Sequence, residues 1–258
     1  MGKIIVIKIG GSTLGSNDTT FEDVVTLQRQ GKPAVIVHGG GKVITDWLAK
    51  QGILAKFIKG ERVTDKPTLD VAIAVLAGLV NKEIVAKINA LGGRAVGISG
   101  VDGGLIQSEI KNRELGYVGA VTKVNPALLP ALLQDGFIPV VGTVCVNASP
   151  KPGDPPILNV NADLVAGDIA AALKAELLIF LTDVDGVHDQ QGKVISHLTA
   201  GQAEALITAG VAAGGMIPKI KACLTAIRGN ARTSIIDGRQ PHALLNEANG
   251  KVSGTVIK

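Results

Sequence analysis

The 258-residue chain carries 26 Lys and Arg against 22 Asp and Glu, a formal charge of +4, and its 46% hydrophobic content includes only 2% aromatics. Scattered basic residues with almost no rings for bases to stack on argue against a nucleic-acid platform and for a small phosphorylated or carboxylate ligand. Cys145 and Cys223 stand far apart without CxxC spacing, which argues against a disulfide framework or a thiolate zinc site and points to a cytoplasmic protein.

Along the chain, Met1-Gly2-Lys3 lacks a signal-peptide layout, and Val6 stands where a myristoylation signal needs Ser or Thr. The first apolar run, Ile4 to Ile9, predicts a strand that opens into Lys8-Ile9-Gly10-Gly11-Ser12. A second, Ala34 to Val37, opens into His38-Gly39-Gly40-Gly41. Glycines at strand ends offer backbone N–H groups with no Cβ in the way, and a following helix adds its positive end. Two such nests, one beside Lys8, suit a polyanion such as a nucleoside triphosphate.

A helix is predicted from Val43 to Gln51. Phe57 to Asp65, with its Lys59-Gly60-Glu61 turn, reads as a hairpin flap, and Arg62 on it suits bidentate carboxylate recognition. A long helix is predicted from Pro67 to Leu91 and a strand from Ala95 to Ile98. Gly104 to Thr122 is read as a second small hairpin region that could close over the site. The Leu stripe of Asn125 to Gln134 predicts a helix despite Pro130, and Ile138 to Val141 a strand. Ala148 to Pro156 reads as a surface loop.

Asn159-Val160-Asn161-Ala162-Asp163 leads into a helix, Ala162 to Leu173, and admits both a helix cap and a substrate grip. The strand Leu177 to Leu181 runs into Thr182-Asp183-Val184-Asp185-Gly186-Val187, which suits a turn as well as ribose or hydrated Mg²⁺. A helix spans Thr199 to Ala209. Gly214-Gly215-Met216-Ile217-Pro218-Lys219 opens the next, Pro218 to Arg228, and puts a lysine where the helix dipole disfavours a cation. Thr233 to Ile236 is the last predicted strand. Continuous apolar strands alternating with helices imply an α/β fold, a mainly parallel open sheet sandwiched by helices. No apolar stretch reaches membrane-spanning length. Val43 excludes a Walker loop at Gly39-Gly40-Gly41-Lys42, no GxGxxG or GxSxG follows a strand, and the four histidines lack metal-ligand spacing. His38 reads as a strand-end residue bonded to backbone.

The ordered set Lys8-Ile9-Gly10-Gly11, His38-Gly39-Gly40-Gly41, Arg62-Val63-Thr64-Asp65, Leu79-Val80-Asn81-Lys82, Gly119 to Leu128, Asn159 to Asp163, Leu181 to Val187 and Gly214 to Lys219 resembles the amino acid kinase superfamily, in particular its acetylglutamate kinase branch. The resemblance covers essentially the whole chain. It implies the αβα amino acid kinase fold and ATP-dependent phosphorylation of the side-chain carboxylate of N-acetyl-L-glutamate in arginine biosynthesis. It further implies that Lys8 and Lys219 neutralise the phosphoryl groups, that Asp163 orients both, and that Gly10 and Gly11 donate N–H bonds to the moving group. Gly40, Gly41, Arg62, Asn159 and Asn161 would hold the acceptor. Asp183, Val184, Gly186, Val187 and Met216 would line the nucleotide pocket, with Mg²⁺ bridging the phosphates and no metal held by the protein itself.

The expected organisation is one continuous unit with an acceptor lobe, 1–174, and a nucleotide lobe, 175–258. A homodimer without arginine feedback is expected, with no nucleic-acid or membrane partner. Lys42 and Val101 depart from the family pattern in segments expected on the acceptor side. Two other readings stand beside this one: a kinase for carrier-protein-linked aminoadipate or glutamate, and a catalytically silent amino-acid or nucleotide sensor.

Overall fold

The computed structural model describes residues 3–10 and 19–258, so Gly11, one of the expected anion donors, lies outside the described residues. In chain order the elements are β1 (Ile5–Ile9), α1 (Thr20–Arg29), β2 (Ala34–His38), α2 (Gly41–Lys50), β3 (Phe57–Ile58), β4 (Glu61–Arg62), α3 (Lys66–Ile73), α4 (Val80–Ala90), β5 (Ala95–Gly100), β6 (Ile106–Ile110), β7 (Val118–Val124), α5 (Leu128–Gln134), β8 (Ile138–Asn147), β9 (Ile157–Val160), α6 (Ala162–Ala172), β10 (Leu177–Thr182), β11 (His197–Leu198), α7 (Ala200–Thr208), α8 (Met216–Arg228), β12 (Arg232–Asp237), α9 (Ala243–Ala248) and β13 (Thr255–Ile257).

The strands form one large sheet in the order β11-β13-β12-β10-β1-β2-β8-β6-β7-β9, with β5 also paired to β8, while β3 and β4 form a separate hairpin. The central pairings β12-β10-β1-β2-β8 are parallel, as continuous apolar strands covered on both faces require. The hairpin flap is therefore present. Gly104 to Thr122 does contain a second hairpin, β6 and β7 paired antiparallel, and it is part of the main sheet through β8 and β9 rather than a separate ribbon like β3–β4. The backbone amides of this segment find partners in the ladder that a projecting hairpin would leave to water.

Strand alternation assigns the functional side chains to opposite faces. Val6 and Val37 belong to the core layer built with α6 and α8, whereas Ile5, Ile7, Ile9 and Ile36 belong to the layer covered by α1, α3 and α4. Lys8, in step with Val6, thus faces α6. His38, in step with Ile36, faces α4. The predicted helix over 67–91 is present but not uniform: a π-helical segment, Ala74–Leu79, separates α3 from α4. Pro130 is tolerated because it is the third residue of α5, where its missing N–H costs no intrahelical bond.

α6 and α8 cross closely because Gly167 has no side chain; a Cβ there would stand 2.6 Å from the Ala222 carbonyl oxygen. This crossing sets the distance between the amino ends of both helices. Gly167→Ala should therefore destabilise the fold by about 1–3 kcal/mol through overpacking, seen as a lower urea midpoint at unchanged m-value.

Candidate active site

Three charged side chains meet beyond the carboxyl end of β1. Lys8 Nζ lies 2.8 Å from Asp163 Oδ1, an ionic contact, and Lys219 Nζ lies 3.2 Å from Asp163 Oδ2. Lys8 and Asp163 are buried. Each member is placed by local structure. Lys8 is one residue from the end of β1. Asp163 is in the first turn of α6, capped by Asn161, whose Oδ1 accepts from the Asp163 and Leu164 amides at 2.9 and 3.3 Å. Lys219 closes the first turn of α8 and donates back to the Gly215 carbonyl at 3.3 Å. The awkward position of Lys219 at a positive helix end is offset by an aspartate at another such end. Two ammonium groups on one carboxylate leave a formal charge of +1 in a buried cluster, which calls for an anion.

Asp163 lies where two cavities join. One, about 230 Å³, is lined by Lys8, Gly40, Gly41, Arg62, Asn159 and Asp163 among others. The other, about 380 Å³, is lined by Asp163, Gly214, Gly215, Pro218 and Lys221 beside the start of α8. Flap residues Gly60 and Glu61 border both, and Glu61 is tied to Lys111 Nζ at 2.6 Å.

Arg62 is pre-set rather than free. Its Nη2 donates to the Gly41 carbonyl at 2.7 Å and to Thr45 Oγ1 at 2.8 Å, and its guanidinium stacks 4.8 Å from the Phe57 ring centre. Nη1 is buried with no hydrogen-bond partner. Burial lowers the Arg62 pKa from its ordinary value. A guanidinium nitrogen held this way is an unfilled donor at the mouth of the smaller cavity, and a carboxylate would fill it. Asn159 Nδ2 meets Thr64 Oγ1 at 3.3 Å on the same wall.

The remaining expected residues divide. Gly40 and Gly41 line the smaller cavity at the start of α2. The Gly10 amide is given to the Leu181 carbonyl at 3.3 Å, so it extends the sheet ladder. Asn161 lines both cavities while its oxygen serves the cap. Asp183 accepts from Thr182 Oγ1 at 3.2 Å just past β10. Gly186 takes a φ of 149°, and a Cβ there would crowd Thr255 Oγ1 at 2.6 Å. Val187 is buried and donates its N–H to Thr255 Oγ1 at 2.8 Å, which makes it a support of this turn. Val184 shares that segment, and Met216 opens α8, packed against the core. Lys42 and Val101 are absent from the residues lining the acceptor-sized cavity; Lys42 is exposed on α2, and Val101 lines a separate groove with Lys82 and Gly97. Sequence reasoning missed Thr45 and Phe57, because their role appears only once the flap folds onto α2.

An open, mainly parallel sheet with glycine-rich strand ends, two helix amino ends and a lysine pair around one carboxylate is the framework of a phosphotransferase for small molecules. The sequence model described as the Amino acid kinase family matches residues 3–237. An acetylglutamate kinase of Dehalococcoides mccartyi is 47% identical over 255 residues, 98% of this chain and 94% of that protein. The structure of smu.665 from Streptococcus mutans superposes with a TM-score of 0.82 at 29% identity, covering 99% of this chain and 98% of the other. Carbamate kinase from Giardia lamblia shares the fold, with a TM-score of 0.71 at 14% identity over 99% and 98% of the two chains. The chain belongs to the amino acid kinase family and, within it, to the acetylglutamate kinases.

Asp163→Ala leaves two ammonium groups without their shared counter-ion and should cost about 3–5 kcal/mol of stability. Added pyrophosphate should recover part of that loss in thermal melts, because an anion bound only by the folded state stabilises it.

Burial drives the His38 pKa down from 6.5 to about 4 and pushes Asp168 on α6 up from 3.8 to about 6. A depressed histidine removes stability as pH falls from about 6.5 to 4, whereas a raised aspartate removes it as pH rises from about 3.8 to 6. The two effects oppose each other across the shared window. Asp168→Asn should unmask the histidine, giving a stability that climbs more steeply with pH between 4 and 6.5 than in the parent, as read by urea midpoints.

Proposed function

We propose that this chain transfers the γ-phosphoryl group of ATP to the side-chain carboxylate of N-acetyl-L-glutamate, yielding ADP and N-acetyl-L-glutamyl 5-phosphate for arginine biosynthesis. The observation that carries the reading is the Lys8–Asp163–Lys219 cluster at the junction of the two cavities. In this arrangement the acceptor occupies the smaller cavity. Its α-carboxylate meets Arg62 and Asn159, and its reacting carboxylate meets the amides of Gly40 and Gly41. The triphosphate lies along the start of α8, with the base near Asp183, Val184 and Gly186.

A carboxylate oxygen forms a new bond to the γ-phosphorus as the bond from that phosphorus to the β–γ bridging oxygen breaks. The nucleophile is already ionised at neutral pH, so no general base is needed, and catalysis reduces to alignment and charge stabilisation. Lys8 faces the acceptor side and stabilises the transferred group, and Lys219 faces the leaving ADP. ATP enters as its magnesium complex. Both Asp163 oxygens are engaged by lysines, so this carboxylate serves the ammonium groups, and Mg²⁺ is held through the phosphates. Residues 1–174 supply the acceptor lobe and 175–258 the nucleotide lobe of a cytoplasmic homodimer.

The 47% identity, over nearly the whole chain, to a protein named acetylglutamate kinase favours the free acylated acceptor over a carrier-linked one. The intact lysine pair favours an enzyme over a silent sensor. Hydroxamate trapping of the acyl phosphate, with N-acetylglutamate, glutamate and aminoadipate compared side by side, tests the reading; product from the first acceptor alone is expected. Lys8→Ala and Lys219→Ala should each lower turnover about 10²- to 10³-fold, the typical loss on removing one charge-stabilising donor. Undiminished acyl-phosphate formation in both variants would reject it.

A further inference from the structure

A buried polar pair lies behind the glycine nest of β2, on the sheet face opposite Lys8. His38 and Asn81 are both almost wholly buried beside a core layer built from Val, Leu, Ile, Ala and Phe21. Asn81 Nδ2 stands 3.2 Å from His38 Nε2, 2.9 Å from the Val140 carbonyl and 3.2 Å from the Ile98 carbonyl. Asn81 Oδ1 accepts from Lys82 Nζ at 3.1 Å. These partners fix the amide: turned over, its oxygen would face two carbonyls and its NH₂ an ammonium group. Asn81 has two N–H hydrogens for three acceptors, so the ring can only share one of them, and the tautomer is set instead by the Gly39 carbonyl, which can only accept. The ring proton therefore sits on Nδ1, which donates to the Gly39 carbonyl at 3.0 Å. Hydrogen bonds thus run in one direction, from Lys82 through Asn81 and His38 to the Gly39 oxygen.

The backbone is cut to admit this pair. A Cβ at Gly97 on β5 would collide with Asn81 Oδ1, and one at Gly142 on β8 would stand 3.5 Å from His38 Nε2 and 2.5 Å from the Leu76 carbonyl of the π segment. Burying an imidazole and a carboxamide carries a desolvation cost that aliphatic side chains would not. The Gly39 oxygen shows what the pair does. A trans peptide is planar, with its C=O and N–H pointing in opposite directions. Holding the Gly39 oxygen inward turns the Gly40 N–H outward, toward the cavity that Gly40, Gly41 and Lys8 line. No acceptor among the described residues takes that N–H.

We propose that His38 and Asn81 are positioning residues that lock the Gly39–Gly40 peptide so that the Gly40 N–H is aimed at the acceptor's reacting carboxylate. This rests on the acceptor site proposed above. Neither residue touches the acceptor.

Steady-state kinetics of His38→Leu and His38→Asn test it, because an asparagine nitrogen can stand near the Nδ1 position. The leucine variant should raise the acceptor KM and lower kcat, each about tenfold, with the KM for MgATP within about twofold of the parent, the pattern of a lost orienting contact. The asparagine variant should recover most of the loss. A folded leucine variant with the parent's acceptor KM, an asparagine variant no better than leucine, or a MgATP KM rising in step would each overturn the proposal. Long-range ¹⁵N spectra of the unmodified protein give a readout that does not depend on a variant folding. A neutral ring protonated at Nδ1 is expected, and a proton on Nε2 would overturn the proposal on its own. A parent protein that forms no acyl phosphate with N-acetylglutamate, while its His38 ring shows the expected tautomer, would instead reject the acceptor reading.

Discussion

One carboxylate with a lysine on each oxygen governs the architecture of this protein. Lys8 and Lys219 are separated by almost the whole chain, yet both end on Asp163. A buried aspartate with a single lysine would be a neutral pair; the second ammonium group makes the cluster a standing demand for an anion. Satisfying this geometry requires β1, α6 and α8 to end in one place. β1 is central in the sheet, α6 covers it, and α8 packs on α6 with Gly167 against Ala222. The parallel order of the sheet follows from the same need, because parallel strands deliver their carboxyl ends, and the helix amino ends that follow them, to one side.

The two faces of the sheet do different work at that side. The α6–α8 face supplies charge. The face covered by α3 and α4 supplies shape. There the π segment pushes Leu76 and Val75 against Gly40, where a Cβ would stand 2.9 Å from Leu76 Cδ2, and it sets Asn81 under His38. An uninterrupted helix would turn these residues to different directions, since one added residue per turn shifts everything after it. The irregularity in the long helix and the glycines of β5 and β8 are thus parts of one arrangement around the second nest.

Much of this was legible in the sequence, for physical reasons that also explain the exceptions. Ile4 to Ile9, Ala34 to Val37 and Leu177 to Leu181 are apolar on both faces, and each matches its strand to within a residue. β8 runs on to Asn147, beyond the predicted Val141, because Gly142 and Thr143 interrupt the apolar run while the strand continues through a register shift against β5 and then pairs β6 and β9. α1 buries polar Thr20 and Asp23 among its apolar residues, α9 is a single short stretch of six residues, and β11 and β13 have only two and three; their existence depends on partners distant in sequence. At the site, Lys8, Asp163, Lys219 and Arg62 announced themselves by conflict with local preference or by their glycine neighbours. Asn81 stood only inside the Leu79-Val80-Asn81-Lys82 segment of the resemblance, with no role assigned to it, since an asparagine in a helix has no local signature. Its trace lies in Gly97 and Gly142, which make sense only when the strands are in register.

For the proposed reaction, the geometry also accounts for how an aspartate could stand beside the path of a highly charged phosphoryl group. Gly60, Glu61, Asn161 and Asp163 are the residues bordering both cavities, so a group moving from one cavity to the other passes Asp163. A bare carboxylate there would repel it. Asp163 is not bare: each of its oxygens carries an ammonium group, so what faces the path is positive on either side. Glu61, the other acidic group on this boundary, is held by Lys111. In the proposed reaction, transfer would run between two cations held on one carboxylate, and the lysines would need little rearrangement as charge moves from donor to acceptor. That economy of motion is what a preorganised site contributes to a reaction in which the protein itself forms no covalent bond.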